Sequence, residues 1–186
     1  MLLDKRRVKN AAKKLGLFPS GNFLIGTRNK DIMSGLAIDA TPSSIYIWTF
    51  VLPSFDDVTF MHMSLGERVV DLGLSDYPLD HSLENAWNYI SFIKDTRQII
   101  DYLEKENIVG EYAVWVRFIC MIRLARFDEA EHMLGAVEKL QSISIPRKIE
   151  ELRGVLSHSG WPATQNLLVE WSCRTDSIMT GVPAEI

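Results

Sequence analysis

The chain is poor in residues that declare chemistry. Its 186 residues include two cysteines and four histidines. Cys120 and Cys173 stand 53 positions apart, which is no metal-binding or redox spacing. Cys120 lies in Phe-Ile-Cys-Met-Ile, where a thiol behaves as a small hydrophobe. The expectation is a reduced, cytoplasmic setting with structural cysteines. Phosphate-binding loops are missing in both forms, Gly-x-x-x-x-Gly-Lys-Ser/Thr and Gly-x-Gly-x-x-Gly, and so is a Gly-x-Ser-x-Gly elbow. Nucleotide binding and serine hydrolysis by those routes are therefore not expected. Long apolar runs are missing too. None approaches the roughly 20 residues that span a bilayer, and no apolar core of about 7–15 residues follows the basic N-terminus, so no secretory leader is expected.

What is present is an uneven charge and a clear pattern of elements. The net charge is −4, yet residues 1–30 carry eight Lys/Arg against one acid. The remaining residues carry twelve against twenty-three. A basic leading segment thus precedes an acidic body. Residues 2–15 read as an amphipathic helix with Val8, Ala11, Ala12 and Leu15 on one face, and Gly16 closes it. Arg6, Arg7, Lys9, Lys13 and Lys14 form its basic surface.

Ser44–Leu52 is the main strand signal. Ile45, Ile47, Thr49 and Val51 alternate with Tyr46, Trp48, Phe50 and Leu52, so both faces are apolar or aromatic. Pro53 ends it. We expect it to be the central strand of a small sheet covered on both sides. Strands are expected at Phe23–Arg28, at Met33–Ala40 and at Val58–Ser64, with 66–81 irregular. Short connections favour antiparallel pairing. After residue 81 the period becomes helical. Helices are expected from Ser82 with a break and cap near Asp95, over 111–125 as the most buried, over 129–142, from Pro146 to about His158, and from Pro162 to about Arg174. The fold class is α+β: an N-terminal helix, an antiparallel meander of about four strands, and a C-terminal bundle of about five helices packed on the sheet. One domain over 1–174 is expected, with its sheet part at about 17–65, its helical part at about 82–174, and a loose tail over 175–186. The later helices would cover one face of the sheet, the N-terminal helix and 66–81 the other.

Candidate chemistry is sparse. Glu129 and His132 are spaced i, i+3, as in one half of a di-metal carboxylate site, but a second Glu-x-x-His is missing and a helix start explains the acids. No metal or cofactor is expected. His62 lies in the fourth expected strand and Asp39 in the second. As a pair they would serve an enzyme with a pocket between sheet and helices. Singly they read as a hydrogen-bonded strand histidine and the outward residue of a half-buried strand. Asp56 and Asp57 are adjacent in a loop and point apart, so they read as turn formers.

Residues 112–140 resemble a tetratricopeptide-type helical hairpin through Arg126-Phe127-Asp128-Glu129-Ala130-Glu131, then Leu134 and Val137. One such unit makes no binding array. Met33-x-Gly35-Leu36-x-Ile38, Ile45–Pro53 and Ser64-Leu65-Gly66-x-Arg68 resemble small bacterial α+β proteins of mostly unknown function. Some of those are toxin-immunity or phage-defence accessories. The resemblance covers about 35 residues and transfers no active site.

The leading expectation is a non-enzymatic bacterial cytoplasmic protein, of the immunity or defence type that the resemblance implies, that binds another protein, with a basic partner matching the acidic body. Its candidate contact surface is Asp56, Asp57, Asp71 and Asp76, all in expected loops. The alternatives are the enzyme with Asp39 or His62, and association with nucleic acid or membrane through the basic helix. Nucleic acid is disfavoured by the acidic body and by the lack of aromatics among the cations.

Overall fold

The computed structural model describes residues 5–41, 44–73, 79–142 and 144–178. They form an N-terminal helix, a five-stranded antiparallel sheet and a series of helices, the expected α+β order. The chain makes two compact units. A sheet unit takes 5–52 and 61–94, and a helical unit takes 53–60 and 95–178. The partition does not follow the sequence boundary: the short loop 53–60 goes with the helices, and the helix after residue 78 goes with the sheet.

In the sheet unit, α1 (Lys5–Lys14) is followed by β1 (Phe18–Ser20), β2 (Phe23–Arg28), β3 (Ile32–Ala40), β4 (Ser44–Pro53), β5 (Arg68–Gly73) and α2 (Leu79–Ile90). Spatial order equals sequence order, so each strand pairs with the next. β4, expected at the centre, is next to the edge. β3 is the middle strand, buried along Ile32–Ile38. Phe18–Ser20, outside every expected strand, pairs with β2 as an edge strand, where Pro19 costs no ladder bond. Val8, Ala11 and Ala12 of α1 join Leu24, Leu36, Ile38 and Ile47 of the sheet and Leu83 and Ala86 of α2 in one core. The two helices therefore share a face, instead of lying on opposite ones.

The strand expected at 58–64 does not form. The Val58 N–H donates to Thr175 Oγ1 (3.0 Å), so its donor serves the helical unit. Gly66 N–H then donates to Met63 O in a turn (2.9 Å). The strand that pairs with β4 comes from the stretch read as irregular, with Ile45 opposite Leu72 and Ile47 opposite Val70. The register shifts after Ile47, and Thr49 N–H donates to Glu67 O (2.8 Å) while Glu67 N–H donates to Thr49 Oγ1 (2.9 Å). Gly66 lies against this bulge: a Cβ there would sit 1.8 Å from Thr49 O. Only glycine permits that approach.

In the helical unit, α3 (Thr96–Lys105) begins where Asp95 Oδ1 accepts from Gln98 N–H (2.9 Å), the expected cap. The α4 helix (Glu111–Arg123) buries eight residues, as its all-round apolar pattern requires. The α5 helix is Phe127–Val137, with Asp128 in its first turn and Arg126 at the cap position. The last helical span, α6 (Ile145–Ile178), is broken at Gly160 (φ 73°), and Pro162 enters the turn after the break. The expected helix starting near Pro146 and the expected helix from Pro162 are its two parts. Helix continues to Ile178, past the expected start of the tail, and 179–186 lie outside the described residues.

Candidate functional site

The most concentrated chemistry in the molecule is carried by the loop 53–60. Asp56 N–H donates to Pro53 O (3.3 Å), closing a turn. Phe55 is fully buried, with the Arg123 guanidinium 5.5 Å from its ring centroid. Asp56 is 0% exposed and Asp57 5%. The sequence reading of both as solvent-facing contact residues is thereby corrected: a carboxylate inside a protein must be paired, and helices distant in sequence provide the partners.

Tyr112 and Trp115 stand i, i+3 on α4 and share one face. The Tyr112 hydroxyl donates to Asp56 Oδ2 (2.6 Å) and Trp115 Nε1–H to Oδ1 (2.5 Å). Lys148 of α6, 1% exposed, donates to Oδ1 (2.8 Å) and to the Asp56 carbonyl oxygen (2.7 Å). Its ammonium also lies 5.8 Å from the Trp115 ring centroid. Burial of its hydroxyl, with the Asp56 negative charge, holds the Tyr112 phenol well above its ordinary range.

Asp57 adopts φ 36°, the left-handed region that an Asp tolerates better than most residues. Its Oδ2 accepts from Arg147 (2.5 Å) and Arg174 (3.3 Å), one from each part of α6. Arg174 also grips Glu151 through both terminal nitrogens (3.3 and 2.6 Å). That hydrogen bonding, opposed by desolvation, lowers the Glu151 carboxyl below its ordinary value. Three carboxylates (Asp56, Asp57, Glu151) thus meet three cations (Arg147, Lys148, Arg174). The charges cancel, and both Asp56 oxygens are occupied by donors. A carboxylate so placed is a poor base, because a substrate would have to displace a donor to reach it. The network anchors the loop.

Sequence reasoning missed Tyr112, Trp115, Arg147, Lys148 and Arg174. One signal could have found the most important of them. Lys148 falls on the face defined by Ile145, Ile149 and Leu152, all buried. A lysine at a core position calls for a buried acid.

The other candidates disperse. Asp39 is exposed, the outward residue of β3. His62 is half-buried outside any strand, and its Nδ1 accepts from Ser64 N–H (3.4 Å). Neither lines the two concavities described below. Glu129 is bound by Arg126 (2.6 and 2.5 Å), whereas His132 Nδ1 meets Asp128 O (2.5 Å). Among the described residues no group of three or more His, Cys, Asp and Glu is placed to hold a metal ion. Asp71 lies in β5, its side chain outside the described set, and Asp76 is outside it altogether. Arg6, Arg7, Lys9, Lys13 and Lys14 are exposed on α1, as their pattern requires. Lys14 reaches Asp80 of α2 (3.2 Å). No helix among the described residues is long and apolar enough to cross a membrane.

Concavities lie elsewhere among the described residues. A groove of about 790 Å³ runs between α5 and α6 in the helical unit. Leu134, Leu140, Ile149 and Leu156 supply aliphatic surface to it, and Glu138, Glu150 and Arg153 supply charge. Arg153 pairs with Glu138 (2.9 Å), whereas Glu150 has no ion pair among the described residues. A smaller pocket of about 280 Å³ lies in the sheet unit beside α1. No family model, no curated protein and no solved structure matches this chain.

Proposed function

We propose that the chain is a non-enzymatic protein-binding protein and that the α5–α6 groove of its helical unit receives the partner. One observation carries this reading: the groove is open, its lining mixes aliphatic and polar side chains, and one unpaired glutamate, Glu150, stands among them. Aliphatic surface in a concavity contributes affinity, and a charge at its border selects orientation and partner. The spans 53–60 and 95–178 hold fifteen acids against ten Lys/Arg, so the field around the groove is negative. The partner that fits is a segment with apolar anchors and a Lys or Arg placed to meet Glu150. This moves the contact surface from Asp56 and Asp57, which are consumed internally, to the groove, and keeps the basic partner.

The test uses photo-crosslinking residues installed at Gln141 and Ser157, in the groove lining, and at Arg97 on α3 as a distant control. A partner crosslinked from the groove positions, not from Arg97, and lost with Glu150→Lys supports the proposal. Equal crosslinking from all three positions, or a yield indifferent to Glu150→Lys, overturns it.

A further inference from the structure

The smaller concavity has a different character and stands independently of the groove. Its floor is Val8 of α1, Leu24 of β2 and Ile38 of β3, side chains that belong to the sheet-unit core. Its lip is the β1–β2 connection, with Pro19, Gly21 and Asn22. Gly21 has φ +60°, and a Cβ built on it would meet no atom within 4 Å, so the lip stands clear of other groups. The backbone of the wall is satisfied, since Ile38 N–H donates to Asn22 O (2.9 Å).

The polar side chains of the lining are Lys9 and Asn22. Neither has a hydrogen bond or ion pair among the described residues, in contrast with Lys14, which is paired with Asp80. Lys13 follows Lys9 by one turn and Arg6 precedes it by three residues, with no acid in α1 to offset them. An ammonium with unspent donors, reinforced by neighbouring cations and set beside an aliphatic floor, matches an anion with an apolar body. We infer that this pocket binds a small amphiphilic carboxylate, its aliphatic chain on Val8, Leu24 and Ile38 and its head group accepting from Lys9 Nζ and the Asn22 carboxamide. The volume, about 280 Å³, falls just below the usual ligand-site range of about 300–1,000 Å³, so the aliphatic chain that fits is a short one.

Octanoate is the probe, titrated into the full-length chain and followed by backbone amide NMR. Octanol, octylamine and acetate separate body from head group. Vesicles of phosphatidylglycerol and phosphatidylcholine separate a free carboxylate from a lipid surface. The expected result is saturable octanoate shifts at Val8, Gly21, Asn22 and Ile38, with octanol, octylamine and acetate each about tenfold weaker or more. Lys9→Glu, a change at an exposed position, weakens octanoate about tenfold while Lys139→Glu in the helical unit does not. The inference is overturned by octanol binding as tightly as octanoate, by affinity unchanged in Lys9→Glu, by saturable shifts elsewhere, or by no saturable shift. Vesicle binding without octanoate binding overturns it too, and reassigns α1 to an anionic lipid surface.

Discussion

The two units solve the same problem, satisfying polar groups away from water, by different means. In the sheet unit the buried polar residues among those described are Thr27, Ser34, Thr49 and Ser82, all uncharged, and the Ser34 hydroxyl is left without a hydrogen-bond partner. Strand ladders take up the backbone, and Thr49 Oγ1 accepts from Glu67 N–H where the β4–β5 register slips. In the helical unit the loop 53–60 has no ladder, and its donors and acceptors look to side chains on helices. There the buried residues include Asp56, Asp57 and Lys148. A regular lattice of hydrogen bonds can bury a backbone without charge, whereas an irregular segment among helices needs strong, directed partners. Buried ion pairs carry a desolvation cost close to their attraction, so the network contributes less to stability than to fixing where the loop sits.

That contrast can be broken most forcefully at Lys148. Lys148→Met leaves Asp56 buried without its cation and is expected to cost about 3–5 kcal/mol in denaturant unfolding. Amide exchange should accelerate in 95–178 and less in 18–52. Asp56→Asn with Lys148→Met should recover part of the loss, because no unpaired charge is then buried. Equal destabilisation by the single and double variants would show that packing, not charge, is what Lys148 supplies.

Gly66→Ala tests the sheet unit by sterics instead. The added methyl meets Thr49 O, a backbone atom that cannot swing away, so the cost expected is about 1–3 kcal/mol or more. Its exchange signature should reverse that of Lys148→Met, with 44–52 affected first. A smaller effect, about 1 kcal/mol, is expected for Asp95→Ala, which removes the α3 cap. Equilibrium unfolding would measure it, and a loss near zero would mean that water replaces the cap.

The mildest test is acid. Hydrogen bonds from Ser142 and the Gln141 backbone lower the Glu111 carboxyl, a hydrogen bond from Arg126 lowers Glu129, and one from Arg174 lowers Glu151. All three stand in the helical unit. Each titrates, when folded, below its ordinary value of 4.5, so the unfolded chain binds more protons. The stability they contribute is present above that pH and is lost as pH falls through the folded values. Glu151→Gln should flatten the acid limb of a stability–pH curve, and an unchanged slope would place the acid sensitivity elsewhere.

Most element types were legible because they depend on spacing within about ten residues. The β4 alternation, the α1 stripe of Val8, Ala11 and Ala12, the all-round apolar α4, the cap at Asp95 and the helix start at Pro162 are such patterns. The stretch 58–64 defeated the reading because its apolar residues look strand-like, while Val58 N–H is taken by Thr175, 117 positions away. Asp56 and Asp57 defeated it for the same reason. Adjacent acids before a hydrophobic segment have the composition of a turn, and nothing local reveals that Tyr112, Trp115 and Lys148 lie 56, 59 and 92 positions on.

The sequence by itself determined the α+β order, most of the helices, the strands β2 to β4 and the basic face of α1, because each follows from side-chain periodicity along a short stretch of backbone. Tertiary structure decided which strand is central, that α1 and α2 share a face, and that two loop aspartates are interior anchors. Those outcomes depend on which groups meet across the chain: an ionised carboxylate is stable in the interior only where distant donors converge on it.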